Sequence, residues 1–177
     1  MTNSNRLGFN TALAIFPSKD GFGWIVFDGP LSPVAWDICA AAKMPGTPQE
    51  KNARCMKRVE SIVAEYHPAS IVLEAFEGGA TRRSKRIQQL CRSIASLSVM
   101  NKTPLRIISR EQIKFCFEST KPKTRYAIAS TVASYLKEIR HRLPNKRRPW
   151  ETEDIKMALF NAAALLIVHY ANRNELI

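Results

Sequence analysis

At 177 residues and 45% hydrophobic composition, the chain is long enough to bury a core and too apolar to be disordered throughout. Its 27 Lys and Arg against 15 Asp and Glu leave a formal net charge of +12, a self-repulsion that an anionic partner relieves. Cys39, Cys55, Cys91 and Cys116 include no CxxC pair, which excludes a zinc ribbon and a disulfide framework, and the longest apolar run, residues 162–168, excludes a membrane span.

Residues 1–10 are polar and are expected as a flexible N-terminus before a single domain over 11–172. Three short strands open the domain. Residues 11–16 are an apolar run of strand formers, 17–21 carry turn chemistry, 23–28 resume the strand pattern, and 33–38 follow a Gly29-Pro30 break. A helix is expected over 49–66, its apolar stripe marked by Cys55, Val59, Ile62, Val63 and Tyr66. Residues 69–76 form a continuous apolar run that fits a strand covered on both faces, with one acid, Glu74, near its end.

A second helix over 84–100 carries Ile87, Leu90, Cys91, Ile94 and Leu97 at helical spacing, and a short strand follows at 105–109. A helical stretch reaches about residue 117, another helix starts near Pro122, and a basic loop at 140–149 leads to a last helix over 152–172. Thr152 is its expected N-cap, and Glu153 and Asp154 favour the N-terminal dipole. The order β-β-β-α-β-α-β-α-α-α implies an α/β fold, one mixed five-stranded sheet with helices on both faces.

Basic residues cluster in three places. Arg82, Arg83, Lys85 and Arg86 surround Ser84 at the opening of the second helix. Lys121, Lys123 and Arg125 flank Pro122. Arg140, Arg142, Lys146, Arg147 and Arg148 form the densest patch, with Trp150 available to stack on a base. Phosphates spaced along a strand reward dispersed cations by counterion release, so nucleic acid is the expected partner and no membrane is. A lone carboxylate such as Glu74 is costly to bury without a metal, a hydrogen bond or a cation, which Arg82 or Arg83 could supply.

The element order resembles the RuvC branch of the RNase H-like superfamily, the Holliday-junction resolvases. Four passages carry the resemblance: Leu13-Ala14-Ile15-Phe16-Pro17-Ser18, Ile71-Val72-Leu73-Glu74-Ala75-Phe76, Leu105-Arg106-Ile107-Ile108 running on to Gln112-Ile113-Lys114, and Glu153-Asp154-Ile155-Lys156-Met157-Ala158-Leu159. The resemblance implies the RNase H-like sheet, three antiparallel strands followed by parallel ones, and DNA, branched or duplex, as the partner. It also implies a homodimer, because a junction has two-fold symmetry. The polar residues 1–10, with no apolar leader segment, and the scattered cysteines lead to the expectation of a cytoplasmic location.

In that family four carboxylates hold two Mg²⁺ ions, one ion to generate the nucleophile and one to steady the leaving oxygen. Carried over by position, Glu74 matches the strand acid and Asp154 the first acid of the last helix, while Phe16 and Met157 stand where the other two belong. The resemblance thus implies binding with an impaired or absent nuclease site and no cofactor. The alternative is a Mg²⁺- or Mn²⁺-dependent structure-selective endonuclease, its carboxylate set rearranged through Asp20, Glu151 or Glu153, with Glu151 and Asp154 sharing a helix face. A third reading is an RNA-binding or scaffolding domain on the same fold. Phe76, just after the strand acid, is either a junction wedge or a core residue.

Overall fold

A computed structural model describes residues 10–78, 82–120 and 124–173. Its strands are β1 (Thr11–Ser18), β2 (Gly21–Asp28), β3 (Pro33–Cys39), β4 (Ser70–Glu74) and β5 (Leu105–Ile108). Its α-helices are α1 (Pro48–Tyr66), α2 (Lys85–Met100), α3 (Arg110–Cys116), α4 (Arg125–Tyr135) and α5 (Lys156–Asn172). The strands form one mixed sheet in the order β3-β2-β1-β4-β5. β1–β2 and β2–β3 pair antiparallel, whereas β1–β4 and β4–β5 pair parallel. This is the sheet that the element order implies.

Side chains alternate across the strands into two apolar layers, as a pleated backbone requires. Leu13, Ile15, Trp24, Val26, Ile71 and Leu73 pack with α1 and α2 residues such as Val59, Ile62, Leu90 and Ile94. Ala12, Ala14, Phe16, Ile25, Phe27 and Val72 face the other way, against α3, α4 and α5. The helices start where side chains satisfy their first N–H groups. Thr47 and Glu50 form a capping box on α1, Ser109 and Gln112 form one on α3, and Ser84 caps α2.

α5 is buried on almost every side from Met157 to Tyr170, the signature of a helix inside the core rather than on it. It lies so close to β2 that a Cβ on Gly23 would sit 2.3 Å from the Ala158 carbonyl carbon and the Leu159 nitrogen. Only glycine fits there, and the close approach anchors the N-terminal end of α5 over the sheet.

Some expected boundaries move. β1 runs through Pro17 to Ser18, with Pro17 in register with Phe22, so the turn shrinks to Lys19 and Asp20. β3 extends to Cys39. α4 begins at Arg125, where the Thr124 hydroxyl accepts from the Ala127 N–H at 3.1 Å; Pro122 lies outside the described residues. α5 begins at Lys156, not at 152. The Asp154 carboxylate accepts the Lys156 N–H at 2.8 Å, the bond that Thr152 was expected to make further back. Phe76 is 8% exposed in the α1–α2 layer, which makes it a core residue and not a wedge.

Candidate nucleic-acid interface at the carboxyl edge of the sheet

Because β1, β4 and β5 run parallel, their carboxyl ends open on one edge. Glu74 pairs with Ile108 there, and Phe16 lies beside them near the end of β1, whose buried run closes at Pro17. The Glu74 side chain is only 4% exposed, and a carboxylate so deep needs compensation. Among the described residues, two arginines bond it. Arg83 Nη2 donates to Oε2 at 2.6 Å, and Arg125 Nη2 donates to Oε1 at 3.0 Å and Oε2 at 3.2 Å.

The aromatic floor of this cluster is Phe16. The Arg83 guanidinium carbon lies 4.7 Å and that of Arg125 5.2 Å from the centre of its ring. Two cations beside one ring would repel each other, and the carboxylate that both bond offsets that repulsion. Arg83 is held in place from its own backbone, whose carbonyl accepts from Gln88 Nε2 at 2.9 Å, and its Nη1 reaches the Pro17 carbonyl at 3.4 Å. Met157 is buried in the same apolar cluster as Phe16.

A depression of about 510 Å³ opens beside Glu74, bounded by Arg82, Arg83, Arg110, Lys114 and Arg125. Arg110 is half-buried; burial first and the nearby Arg125 charge second push its pKa below the usual arginine value. It remains a cation at any working pH. Sequence reasoning singled out neither Arg110 nor Lys114 as cations of this edge. Their only local signal is the helix start at Ser109, which says nothing about which cavity the following side chains line.

The other acids do not join Glu74 in one ligand set. Asp154 is exposed just before α5, its carboxylate accepting the Lys156 N–H. Glu151 is exposed on the loop before it, its Oε2 accepting the Arg148 N–H at 2.8 Å. Since α5 starts at Lys156, Glu151 and Asp154 do not form a helix-face pair, and the shifted register fails for that reason. Glu153 is exposed in the same segment, near enough for its charge to act on Arg110. Asp20 is half-buried in the β1–β2 turn, where its backbone carbonyl accepts from Ala42.

The pair of Mg²⁺ ions that the resembled family holds at this edge needs several convergent oxygen ligands. Among the described residues no three His, Cys, Asp or Glu side chains gather closely enough to hold one ion. Phe16 and Met157 offer no oxygen, and guanidiniums occupy the oxygens of Glu74. The residues present do not fit the metal pair.

The basic clusters divide by what their side chains touch. Arg86 donates to Asn52 Oδ1 at 3.0 Å and to the Ser18 and Lys19 carbonyls at 2.8 and 3.0 Å, tying α2 to the first hairpin and to α1. Arg140 closes the end of α4 by donating to the Ala133 and Ser134 carbonyls, and Arg142 pairs with Asp37 on β3 at 3.0 Å. Arg82 and Lys85 are exposed beside Arg83. Lys121 and Lys123 lie outside the described residues.

A second hollow, an open groove of about 1050 Å³, runs from the start of α4 along the loop 143–154 to Met157. Arg147 and Arg148 are exposed on this loop; Arg147 Nη1 donates to the Glu151 carbonyl at 2.8 Å, and the Arg148 guanidinium carbon is 5.7 Å from the centre of the Trp150 ring. Arg125 borders both hollows and joins them. No helix among the described residues is long and apolar enough to cross a membrane.

No protein-family model matches the sequence, and no curated protein matches it. Solved structures do. RuvC of Thermus thermophilus superposes with a TM-score of 0.66 at 15% identity, over 93% of this chain and 97% of that one. The T. thermophilus RuvC structure in complex with Holliday junction substrate gives 0.65 at 15% identity, with the same coverage. Ydc2, the yeast mitochondrial Holliday junction resolvase, gives 0.60 at 13% identity, over 97% of this chain and 85% of that one. Nearly full coverage in both directions at such low identity is a likeness of architecture, and the architecture of this chain is the RuvC-like fold.

Proposed function

We propose that the chain binds branched or duplex DNA at the carboxyl edge of its sheet and does not hydrolyse it. The observation that carries the proposal is the Glu74 carboxylate enclosed by Arg83 and Arg125 above the Phe16 ring. Two-metal phosphodiester hydrolysis depends on carboxylate oxygens free to hold cations. Here permanent cations already hold them, and the further cations that line the same depression, Arg82, Arg110 and Lys114, suit phosphate in charge.

The net charge of +12 supports the reading, as does the likeness to a RuvC solved with a Holliday junction. Residues 11–172 act as one DNA-binding unit, as a homodimer that matches the two-fold symmetry of a junction. A cytoplasmic location accords with the free thiols of Cys39, Cys55, Cys91 and Cys116.

Fluorescence anisotropy with a four-way junction, a DNA duplex and an RNA duplex, at one salt concentration and then across a salt series, tests the proposal. DNA binds, and log K falls linearly with log salt. No strand is cut when Mg²⁺ or Mn²⁺ is added. Cleavage that needs the metal and disappears in Glu74→Gln would overturn the proposal in favour of an active endonuclease with a rearranged carboxylate set. Preference for RNA, or binding indifferent to salt, would overturn it in favour of an RNA-binding or scaffolding role. Sedimentation of the junction complex with a single chain would remove the homodimer.

A further inference from the structure

We propose that the groove along the 143–154 loop is a receptor for an unpaired nucleobase of DNA, with Trp150 as the stacking surface. The proposal rests on the DNA-binding reading above and adds which DNA structure is preferred. Trp150 is 76% exposed and belongs to neither apolar layer, so the core does not account for it. An indole left in water gains when a flat apolar partner covers it. The Arg148 guanidinium already lies 5.7 Å from the ring centre, adding a cation to the aromatic surface.

The loop is braced in advance. Glu151 N donates to the Arg148 carbonyl at 3.0 Å, Arg148 N donates to Glu151 Oε2 at 2.8 Å, and Arg147 Nη1 donates to the Glu151 carbonyl. Pro144 and Pro149 restrict the backbone on either side of Arg147 and Arg148. A braced aromatic surrenders little conformational freedom when a ligand lands on it.

The chemistry of the walls selects the ligand. Among the described residues, Arg125, Lys146, Arg147, Arg148 and Lys156 face three acids there, and two of those acids, Glu151 and Asp154, already accept backbone N–H groups. Cations alone would suit any polyanion. An exposed indole among them calls for a ligand that presents a phosphate and a π-face together. Paired bases hide their faces in the stack, whereas an unpaired nucleotide offers one at the spacing of its own phosphate. The groove, at about 1050 Å³, has room for a nucleotide. Arg125 connects it with Glu74, so a strand lying on the carboxyl edge leads directly to Trp150.

Anisotropy titrations at fixed salt compare a fully paired four-way junction with the same junction carrying unpaired thymines at the crossover, alongside a Trp150 emission measurement. The full chain binds the unpaired form about tenfold tighter, in line with stacking energies for one base. Its emission is quenched on binding. In Trp150→Ala the advantage of the unpaired form disappears, and in Trp150→Phe part of it returns. Equal affinity of the wild type for both junctions, or an advantage that survives in Trp150→Ala, overturns the inference and leaves the DNA-binding proposal standing. Failure to bind either junction overturns both.

Discussion

Arg83 and Arg125 sit against a buried carboxylate, whereas Arg147 and Arg148 stand on an exposed loop beside Trp150. The two pairs border one continuous surface, yet their charges act differently. In the first pair the positive charge is largely answered from inside the protein, and it fixes the geometry of the edge. In the second, a backbone carbonyl and an aromatic ring answer it weakly, which leaves the field directed at solvent and at whatever anion arrives. A run of basic residues in a sequence is therefore not a count of contacts to a partner. Arg86, Arg140 and Arg142 behave like the first pair, since each holds one element to another.

The comparison breaks if Glu74 proves dispensable. Glu74→Leu leaves Arg83 and Arg125 facing each other without their anion, and the expected loss is about 3 kcal/mol of stability by urea denaturation. Glu74→Gln keeps an acceptor and loses about half as much. An unchanged midpoint for Glu74→Leu would mean that both arginines swing out to water, and that the two pairs are alike after all. Next in size, Arg86→Met removes hydrogen bonds to Asn52 and two carbonyls and lowers stability by about 2 kcal/mol, whereas Arg147→Met changes it by less than about 0.5 kcal/mol.

A smaller effect sharpens the picture of the buried side. Burial pushes the Cys91 thiol up from 9.0 to about 11, with Arg83 pulling it down and Glu74 pushing it up. The folded value lies above the unfolded one, so this stabilisation is complete below pH 9 and is lost as pH rises towards 11. The slope is at most about 1.4 kcal/mol per pH unit. Unfolding followed across that range shows the decline in the wild type and a shallower one in Cys91→Ala. The smallest effect concerns the open side: Arg148→Ala lowers the salt slope of DNA binding by about one unit, read from anisotropy across a salt series.

Much of the architecture was legible before any coordinates. The apolar runs at 11–16 and 23–28, the helical stripes of α1 and α2 and the unbroken run of β4 are local patterns, and local patterns are written along the chain. Boundaries were harder where polar residues precede a helix. Thr152, Glu153 and Asp154 read as a helix start, yet α5 begins at Lys156 with Ile155 as its N-cap and no capping side chain, which dissolved the expected pairing of Glu151 with Asp154. Pro17 reads as a turn residue, yet at the end of β1 the strand continues through it.

The candidate site was half legible. Glu74 stands out because a charge at the end of an apolar strand is visible in one dimension, whereas Phe16 and Met157 stand out only through the family resemblance. That Arg83, nine residues from Glu74, supplies the compensating charge is within reach of the sequence. That Arg125 does so from 51 residues away is not, because nothing local to Arg125 records which strand end its helix approaches.

The sequence by itself determined the element order, the lone acid Glu74 at the end of an apolar strand, and an excess of positive charge too large to be silent. Only the tertiary structure decided which cations answer Glu74, which brace the fold and which face the groove at Trp150. The physical reason is the range of the forces involved. Secondary structure follows from neighbours a few residues apart, whereas the role of a charge depends on burial and on partners that only packing brings within a few ångströms.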